Sequence, residues 1–480
     1  MTRSRSWFFA AVVVVAAVAV VGSLVAPTGR VARAARGGLA PVVASSGVCP
    51  SVAGGPAGLS TDMVVAHVTP GPVPHVTYVP VLGSGGAKRA ATMTPNPIAR
   101  LHKDTAYASV AVTATGAGAD GVVAGQTALI PGGLGRGLTD VACTPASTDW
   151  WFAGADGRIG ITDLLFLVNP SDTAANVALS FWSSRGPLSP PNTGGITVAA
   201  HSVQIHHVSD YAPDVAGVAV HVHANSGTVA AAIVDLESSG NKPLGSDWIG
   251  PSTAPTSSTV VTGFMPGSTF DRLDLVNPGD SDATVSLRIA TPTKNFAPAG
   301  HQTVIVQAGH TTSVDLSGAI SGEAAAALVS SDVPVTAAGL TAQQPTNGLR
   351  ELAWLPAQRP LVSAAGVANN VPPFAQKVNL VVTAPQAAAR LRISAPGGAT
   401  ATVAVPAGRT VNVDLRAALH AGAGGPGPLL LSPLDAPVYV MRTMYATGAH
   451  GPLMTASAPV VLPQPVSLPP VVSDPRAALP

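Results

Sequence analysis

Short runs in which every second residue is apolar recur along most of this 480-residue chain. Val177–Phe181 and Val285–Ile289 are the clearest, with an aliphatic or aromatic residue at each alternate position. A strand with one buried face shows this period of two, whereas an amphipathic helix shows a period near 3.6. Gly (50 residues) and Pro (45 residues) break the runs into short segments. The pattern therefore predicts an all-β protein of short strands joined by turns.

Three segments of the chain resemble one another at intervals of roughly a hundred residues, the length of a small domain. They are Asp163–Pro170 (DLLFLVNP), Arg272–Pro278 (RLDLVNP) and the more divergent Lys377–Pro385 (KVNLVVTAP). About seven short strands fit into each copy, which is typical of an immunoglobulin-like β-sandwich. We therefore expect tandem immunoglobulin-like modules of one topology.

The strand period also predicts which side chains of these segments form the cores. A strand buries one parity of residue, and a slip by one position would turn its apolar side chains outward. We expect Leu165, Leu273 and Val378, or a neighbour two positions away, to point into equivalent cores.

The strongest internal match is between Thr303–Leu316 and Thr402–Leu415. Each has two strand-like runs around a short turn. Gly309 and Gly408 occupy the turn, where a positive φ is required. The sequence predicts a β-hairpin at both places.

The repeats and the composition predict six segments. They are a membrane anchor or signal segment at 1–36, a first β module at 37–157, β-sandwiches at 158–262, 263–365 and 366–463, and a Pro-rich tail at 464–480.

The N-terminal segment Trp7–Ala26 contains no charged residue and follows Arg3 and Arg5. Twenty helical residues span roughly 30 Å, the thickness of the hydrocarbon layer. Secretory signals have a shorter apolar region and a small-residue cleavage site, whereas Pro27 follows this run. We expect a single-pass transmembrane helix that places the rest of the chain outside the cell membrane. The alternative is a cleaved signal and a secreted protein.

The chain has two cysteines, Cys49 and Cys143. Both lie in the first module, beyond the export segment. Two cysteines of one module in an oxidising compartment most simply pair. We predict a disulfide, with two free thiols as the alternative.

Charged residues make up 10% of the chain, against about 25% in typical globular proteins. The net charge is +1, and five arginines lie in the first 36 residues without an acid, so the remainder is mildly acidic. This composition lacks the basic footprint of a nucleic-acid-binding protein. The sequence also lacks the common nucleophile, metalloprotease and phosphate-loop motifs. We therefore expect no nucleic acid partner, no cofactor and no enzymatic activity.

Histidines concentrate in one part of the second module. His221 and His223 are two positions apart on a predicted strand and so share a face. With His206 or His207 and Asp210 they can ligate zinc or copper. The simpler interpretation is a pair of solvated histidines.

Trp151, Trp248 and Trp354 recur near the module ends. The simpler interpretation is that each packs over the junction to the next module. The alternative is a solvent-facing platform for a sugar ring.

Cys49-Pro50, the aromatic segment Trp150–Gly154 (WWFAG) after Cys143, and the repeated LVNP motif resemble those of uncharacterised actinobacterial membrane-anchored secreted proteins, a domain of unknown function. The resemblance implies an exported envelope protein and supplies no activity or site residues. The fourth copy departs from it at Val382–Pro385, where the Asn of the motif is missing.

These observations predict a non-enzymatic, membrane-anchored scaffold or binding protein of the bacterial cell envelope. Four modules in line would reach on the order of 100–150 Å from the membrane. The partner would be an envelope protein or a glycan. The alternative is a glycan-binding or glycan-processing accessory protein that uses exposed Trp side chains and loops, and a metal-dependent enzyme at the histidines is the third class.

Overall fold

The computed structural model describes residues 38–50, 59–81, 91–92, 97–103, 108–346, 348–370, 376–422, 425 and 427–468. They fall into two units, one of residues 38–42 with 464–468 and the other running from 43 to 463. In the first unit, β1 (Leu39–Ala40) pairs antiparallel with β36 (Val466–Ser467). The predicted anchor Trp7–Ala26 and most of the Pro-rich tail lie outside the described residues. In the part of the chain that is described, no helix has the length and hydrophobicity needed to span a membrane.

Strands account for 60% of the structure and helices for 4%, in several antiparallel sheets, which confirms the all-β prediction. Among the described residues the α-helices are single turns, and each follows an equivalent strand in one of three repeats. They are α1 (Val208–Tyr211), α2 (Ser317–Ile320) and α3 (Leu415–Ala418).

The larger unit contains four repeats with one pairing scheme, whose strand positions we name A to H in chain order. The first repeat has β2 (Ala44–Cys49) at A, β3 (Ser60–His67) at B, β4 (His75–Val81) at C, β5 (Ala91–Thr92) at D, β6 (Ile98–Lys103) at E, β7 (Ser109–Thr115) at F, β8 (Val122–Ile130) at G and β9 (Gly137–Ala142) at H. The second has β10 (Asp149–Ala155) at A, β11 (Ile161–Asn169) at B, β12 (Ala175–Ser183) at C, β13 (Gly186–Leu188) and β14 (Ile196–Val198) at D, β15 (Ser202–His207) at E, β16 (Val218–Ser226) at F, β17 (Ala230–Ser239) at G and β18 (Lys242–Ile249) at H.

The third and fourth repeats follow the same order. The third has β19 (Thr256–Phe264) at A, β20 (Phe270–Val276) at B, β21 (Ala283–Ala290) at C, β22 (Asn295–Phe296) and β23 (Thr303–Val306) at D, β24 (Thr311–Asp315) at E, β25 (Ala325–Gln343) at F and G, and β26 (Glu351–Pro356) at H. The fourth has β27 (Ala365–Val367) at A, β28 (Lys377–Ala384) at B, β29 (Ala389–Ser394) at C, β30 (Thr400–Val405) at D, β31 (Arg409–Asp414) at E, β32 (Leu429–Pro433) at F, β33 (Tyr439–Gly448) at G and β34 (Gly451–Ser457) at H, and the short β35 (Val460–Val461) pairs with β27.

In every repeat, A, F, C and D form one sheet, the AFCD sheet, and E, B, G and H form the other, the EBGH sheet. In the third repeat the 19-residue strand β25 continues from one sheet into the other. The A strands β10 and β19 begin before the predicted module starts at 158 and 263, yet they pair with the F strands that follow them. The predicted domain boundaries themselves stay a prediction.

The apolar parity of the B strands places one leucine of each of the last three repeats in its core. Leu165 and Leu273 are at most 1% exposed and lie in separate core clusters. In the fourth repeat, Val378 and Leu380 both lie in the core, and Leu380 is at the position equivalent to the other two leucines. The expected core positions are therefore confirmed, with the fourth copy shifted by two positions, but the other parity is buried as well, as Phe166 shows at 0% exposed.

The side chain of the Asn in the LVNP motif hydrogen-bonds the end of the B strand to the opposite sheet. Asn277 Nδ2 donates to the carbonyl oxygens of Ser281 at 2.7 Å and Val306 at 3.0 Å. Asn169 makes the equivalent bonds to Thr173 at 2.8 Å and Val198 at 3.0 Å. Since a buried amide needs such partners, the motif repeats because its side chain bridges the turn and the D strand.

The predicted β-hairpins at Thr303–Leu316 and Thr402–Leu415 are wrong. In each, the D strand pairs with the C strand and the E strand pairs with the B strand, so the turn carries the chain from one sheet to the other. Gly309 and Gly408 have the expected positive φ, 71° and 69°. Local alternation predicts the strands and the turn, but it does not show which strand each run pairs with.

The four repeats close into a ring, because each EBGH sheet buries its second face against the preceding repeat. Phe166 and Trp248 of the second repeat pack on Val48 and Val141 of the first. In the same manner, Leu340 and Trp354 of the third repeat belong to the core cluster of the second. Met441 and Met454 of the fourth repeat belong to that of the third. The ring closes where Val64 and Val123 of the first repeat pack on Ala368 and Leu462 of the fourth.

The expectation of four modules in line is therefore wrong. Interfaces of one kind, each joining two different surfaces, close into a ring when the rotation between neighbours allows it. The sequence carried a signal for this packing. Leu164–Val168 is continuously apolar rather than alternating, as expected of a strand buried on both faces.

Candidate functional site

The H strands β9, β18, β26 and β34 pack against one another at the centre of the ring. Each is the last strand of its EBGH sheet and would expose a free edge in an isolated module. Buried carboxylates supply the missing acceptors. Asp247 accepts from the backbone N–H of Trp354 at 3.1 Å and of Ala456 at 3.4 Å, and Glu351 accepts from that of Ser246 at 3.0 Å.

A cleft of about 550 Å³ opens where these central strands end. All four repeats contribute to it, through residues that include Val141, Trp248, Pro356 and Ser457. Its walls are largely apolar, and they include Trp150, whose Nε1 donates to the carbonyl of Val229 at 2.8 Å. A concave, mainly apolar site with a few polar groups is the usual form of a ligand-binding site.

A buried ion pair lies beside the cleft. Asp140 lines the cleft and accepts from Arg442, which also donates to Ser457 Oγ at 2.8 Å and to the carbonyl of Asn369. Asp140 and Arg442 are 2% and 3% exposed. Thr127 Oγ1 donates to the second carboxylate oxygen of Asp140 at 2.6 Å. The pair is thus fully hydrogen-bonded on its acidic side and joins the first repeat to the fourth.

A second buried pair lies in the same central region. Arg136 donates to Glu351 at 3.4 Å and to the carbonyl oxygens of Gly451 and Pro452 at 3.1 and 2.9 Å. Burial raises the pKa of the Glu351 carboxyl well above its usual range, against the opposing effects of the N–H donors and of Arg136. With Ser246, which donates to Glu351, all four repeats meet at this pair.

Three aspartates form a row across adjacent strands of the second repeat. Asp163, Asp235 and Asp247 lie opposite one another on β11, β17 and β18. Trp354 Nε1 donates to Asp235 at 2.8 Å. Burial raises the pKa of all three carboxyls, that of Asp235 to about 7. The Oδ1 atoms of Asp163 and Asp235 are buried and have no hydrogen-bond partner among the described residues.

Most of these carboxyls lie away from the cleft. Of the row and the two pairs, the lining of the cleft includes Asp140 alone, and Arg442 engages it. Arg359 also lines the cleft, is exposed, and makes no hydrogen bond or ion pair among the described residues. The cleft therefore offers apolar walls and a solvated cation.

The predicted disulfide is confirmed. Cys49 and Cys143 are bonded, with their Cα atoms 4.3 Å apart. The bond ties the A strand of the first repeat to the end of its H strand.

The predicted histidine ligands are divided between two sheets. His206 and His207 lie on β15 of the EBGH sheet, and His206 Nδ1 is 2.7 Å from the hydroxyl of Tyr211. His221 and His223 lie on β16 of the AFCD sheet. The group that the structure assembles around them instead contains Asp149 on β10. Sequence reasoning missed Asp149 because only the register of β10 against β16 brings it there.

The sugar platform predicted for three tryptophans fails at two of them. Trp248 and Trp354 are 3% and 2% exposed and pack between repeats, as the simpler interpretation predicts. Trp151 is 8% exposed and stacks on Trp182, with ring centroids 5.3 Å apart, and on His221 at 4.0 Å. Its side chain is therefore largely buried, although it belongs to the lining of the cleft.

No curated protein matches the chain. A family of unknown function, DUF5719, matches it over residues 99–416, which is more than half of its length and includes parts of all four repeats. The chain therefore belongs to the family of unknown function DUF5719.

Proposed function

We propose that this protein is a non-enzymatic binding protein of the bacterial cell envelope. Trp7–Ala26 anchors it in the membrane, and the ring lies outside the cytoplasm and presents its central cleft to a partner. The cleft of about 550 Å³, built jointly by all four repeats, is the observation that carries this proposal. Its volume lies in the range of sites that enclose small molecules or side-chain clusters, roughly 300–1,000 Å³.

Export is supported by chemistry independent of the cleft. The Cys49–Cys143 bond is stable in an oxidising compartment. The arginine-flanked apolar segment supplies the route. Cell fractionation with protease shaving tests this part: we expect membrane-bound protein whose residues beyond about 40 are cleaved from outside. Recovery of a soluble, shaving-resistant protein would contradict it.

Each repeat is proposed to be a variant of the immunoglobulin-like sandwich. B pairs with E and C pairs with F, as in that fold. Here A pairs with F and G pairs with B, whereas in the immunoglobulin fold A pairs with B and G pairs with F. Such folds serve commonly as rigid carriers of binding surfaces.

The lining favours an envelope protein as the partner over a glycan. Glycans stack on exposed aromatic faces, whereas Trp151, Trp248 and Trp354 are at most 8% exposed. The apolar walls suit a polypeptide segment with apolar side chains, and Arg359 in the lining could pair with a carboxylate of that segment. The partner is accordingly proposed to insert such a segment.

Photo-crosslinking in the cells that make the protein tests the cleft directly. A crosslinking residue replaces Ala254, which lines the cleft, or Ala404, which is exposed on β30 as a matched control. We expect one protein adduct from position 254, none from 404, and loss of the adduct in Arg359→Glu but not in Arg392→Glu. Equal labelling at both positions, or a glycan adduct at 254, would overturn the assignment.

A further inference from the structure

We propose that Asp149, His221 and His223 form a binding site for a borderline divalent transition metal such as Zn²⁺ or Cu²⁺. One ligand atom of each side chain lies within 4.8 Å of those of the other two. The site lies on the second repeat's AFCD sheet and adjoins the cleft, whose lining includes Asp149.

Strand register creates the group. Asp149 lies directly opposite His223, and Trp151 lies opposite His221, in the antiparallel pair β10–β16. His221 and His223 are two positions apart, so both imidazoles project from the same face as the carboxylate. The side chains of Asp149, His221 and His223 are 42%, 18% and 52% exposed, which leaves the group open to solvent.

The distances suit a shared ion after small side-chain rotations. Asp149 Oδ1 lies 2.6 Å from His221 Nε2 and 3.8 Å from His223 Nδ1. Donor atoms around a tetrahedral zinc ion with bonds near 2.0–2.1 Å are roughly 3.4 Å apart. The observed separations lie on both sides of this value. A metal ion would thus take the place of the proton between His221 and Asp149.

The donor set selects the class of metal. Two imidazoles and one carboxylate match zinc, copper or nickel better than the oxygen-seeking calcium and magnesium ions. Three protein ligands leave a coordination position for water. The small residues Ala178 and Ser180 lie opposite His223 and His221 on β12 and leave room there. Strands β10, β12 and β16 contain no Lys or Arg that would repel a cation.

Aromatic stacking holds one ligand in place. The His221 ring lies 4.0 Å from that of Trp151, with 14° between the planes, and Trp151 stacks on Trp182. A ligand whose ring orientation is set beforehand loses less entropy when it binds. The same contact provides a reporter, because a bound Cu²⁺ ion would quench the fluorescence of Trp151.

Titration of the full chain with Zn²⁺ in a calorimeter tests the proposal. We expect one equivalent of high-affinity binding, weakened at least about tenfold by His223→Gln and by Asp149→Asn. His207→Gln, an exposed histidine on the other sheet, should bind as the unaltered protein does. Equal effects of His207→Gln and His223→Gln, or no binding tighter than about 1 mM, would overturn the site.

Two further readouts separate loss of the site from loss of folding. Zn²⁺ should raise the thermal midpoint of the unaltered protein and leave that of Asp149→Asn unchanged. Cu²⁺ should quench tryptophan fluorescence, and the double variant Trp151→Phe/Trp182→Phe should lose much of the quenching, because the rings of both tryptophans lie within 6.4 Å of that of His221. Unchanged quenching in this double variant, or an equal Zn²⁺ stabilisation of Asp149→Asn, would place the ion elsewhere.

Discussion

Arg442 in the fourth repeat donates a hydrogen bond to Asp140 in the first, 302 positions earlier in the chain. The two residues are 3% and 2% exposed. Modules arranged in line would keep the first and last repeats apart, so this contact shows that the ring is closed. Asp140 also lines the central cleft, which links the stability of the ring to its proposed binding site.

Removal of one partner of this pair should destabilise the whole ring. Asp140→Ala leaves the Arg442 guanidinium buried without its carboxylate, which costs about 3–5 kcal/mol. The double variant Asp140→Leu/Arg442→Met should recover much of this loss, because neither charge remains. Denaturant unfolding measures the changes. Arg390→Ala, which breaks the exposed pair with Asp435, serves as the control and should change little.

The buried carboxyls should make the protein less stable as the pH rises. Burial raises the pKa of Asp271 to about 6, from an ordinary value near 3.8. The folded state therefore keeps a proton that the unfolded chain releases between about pH 4 and pH 6, and the stabilisation present below this window is lost as the pH rises through it. A shift of this size corresponds to about 3 kcal/mol.

Asp271→Asn isolates that contribution, because the amide is neutral at every pH. Between pH 4 and pH 8, the free energy of unfolding should fall by about 3 kcal/mol more in the unaltered protein than in the variant. Urea unfolding at several pH values measures the difference. Parallel pH profiles for the two proteins would show that Asp271 is ionised in the folded state.

The Asn of the LVNP motif should contribute more to the stability of the fold than an ordinary turn residue does. Asn277→Ala removes donors to Ser281 and Val306 and the acceptor for the N–H of Gly279. Because Asn277 is fully buried and its bond to Val306 lies in the interior, we expect a loss of about 2–4 kcal/mol. Asn225→Ala, at an exposed site, is the matched control. A similar small effect at both positions in thermal or denaturant unfolding would contradict the bridging role.

Contact between the second and third repeats depends on the absence of a side chain at Gly154. It has a φ of +95°, and a Cβ there would lie 2.2 Å from Cζ3 of Trp354. Gly154→Ala should destabilise the protein by about 2–4 kcal/mol through backbone strain and steric overlap. Gly397→Ala, with nothing within 4 Å of the added atom, should be nearly neutral in the same unfolding measurement.

Much of the local structure could be predicted from the sequence. Alternation located Val177–Phe181 and Val285–Ile289 within strands, and the positive φ of Gly309 and Gly408 followed from the turns they occupy. The Cys49–Cys143 bond followed from a count of two cysteines. These features depend on steric preferences and on the period of a strand, which act between residues close in sequence.

Only the tertiary structure decided how the strands pair and how the repeats meet. The D and E strands of each presumed hairpin belong to different sheets, and Asp149 reaches His221 across 72 positions. Both outcomes depend on register between distant strands, which no local pattern encodes. The ring has the same origin: an apolar run such as Leu164–Val168 requires both faces to be covered, but the covering surface is chosen by the complementarity of whole repeats in three dimensions.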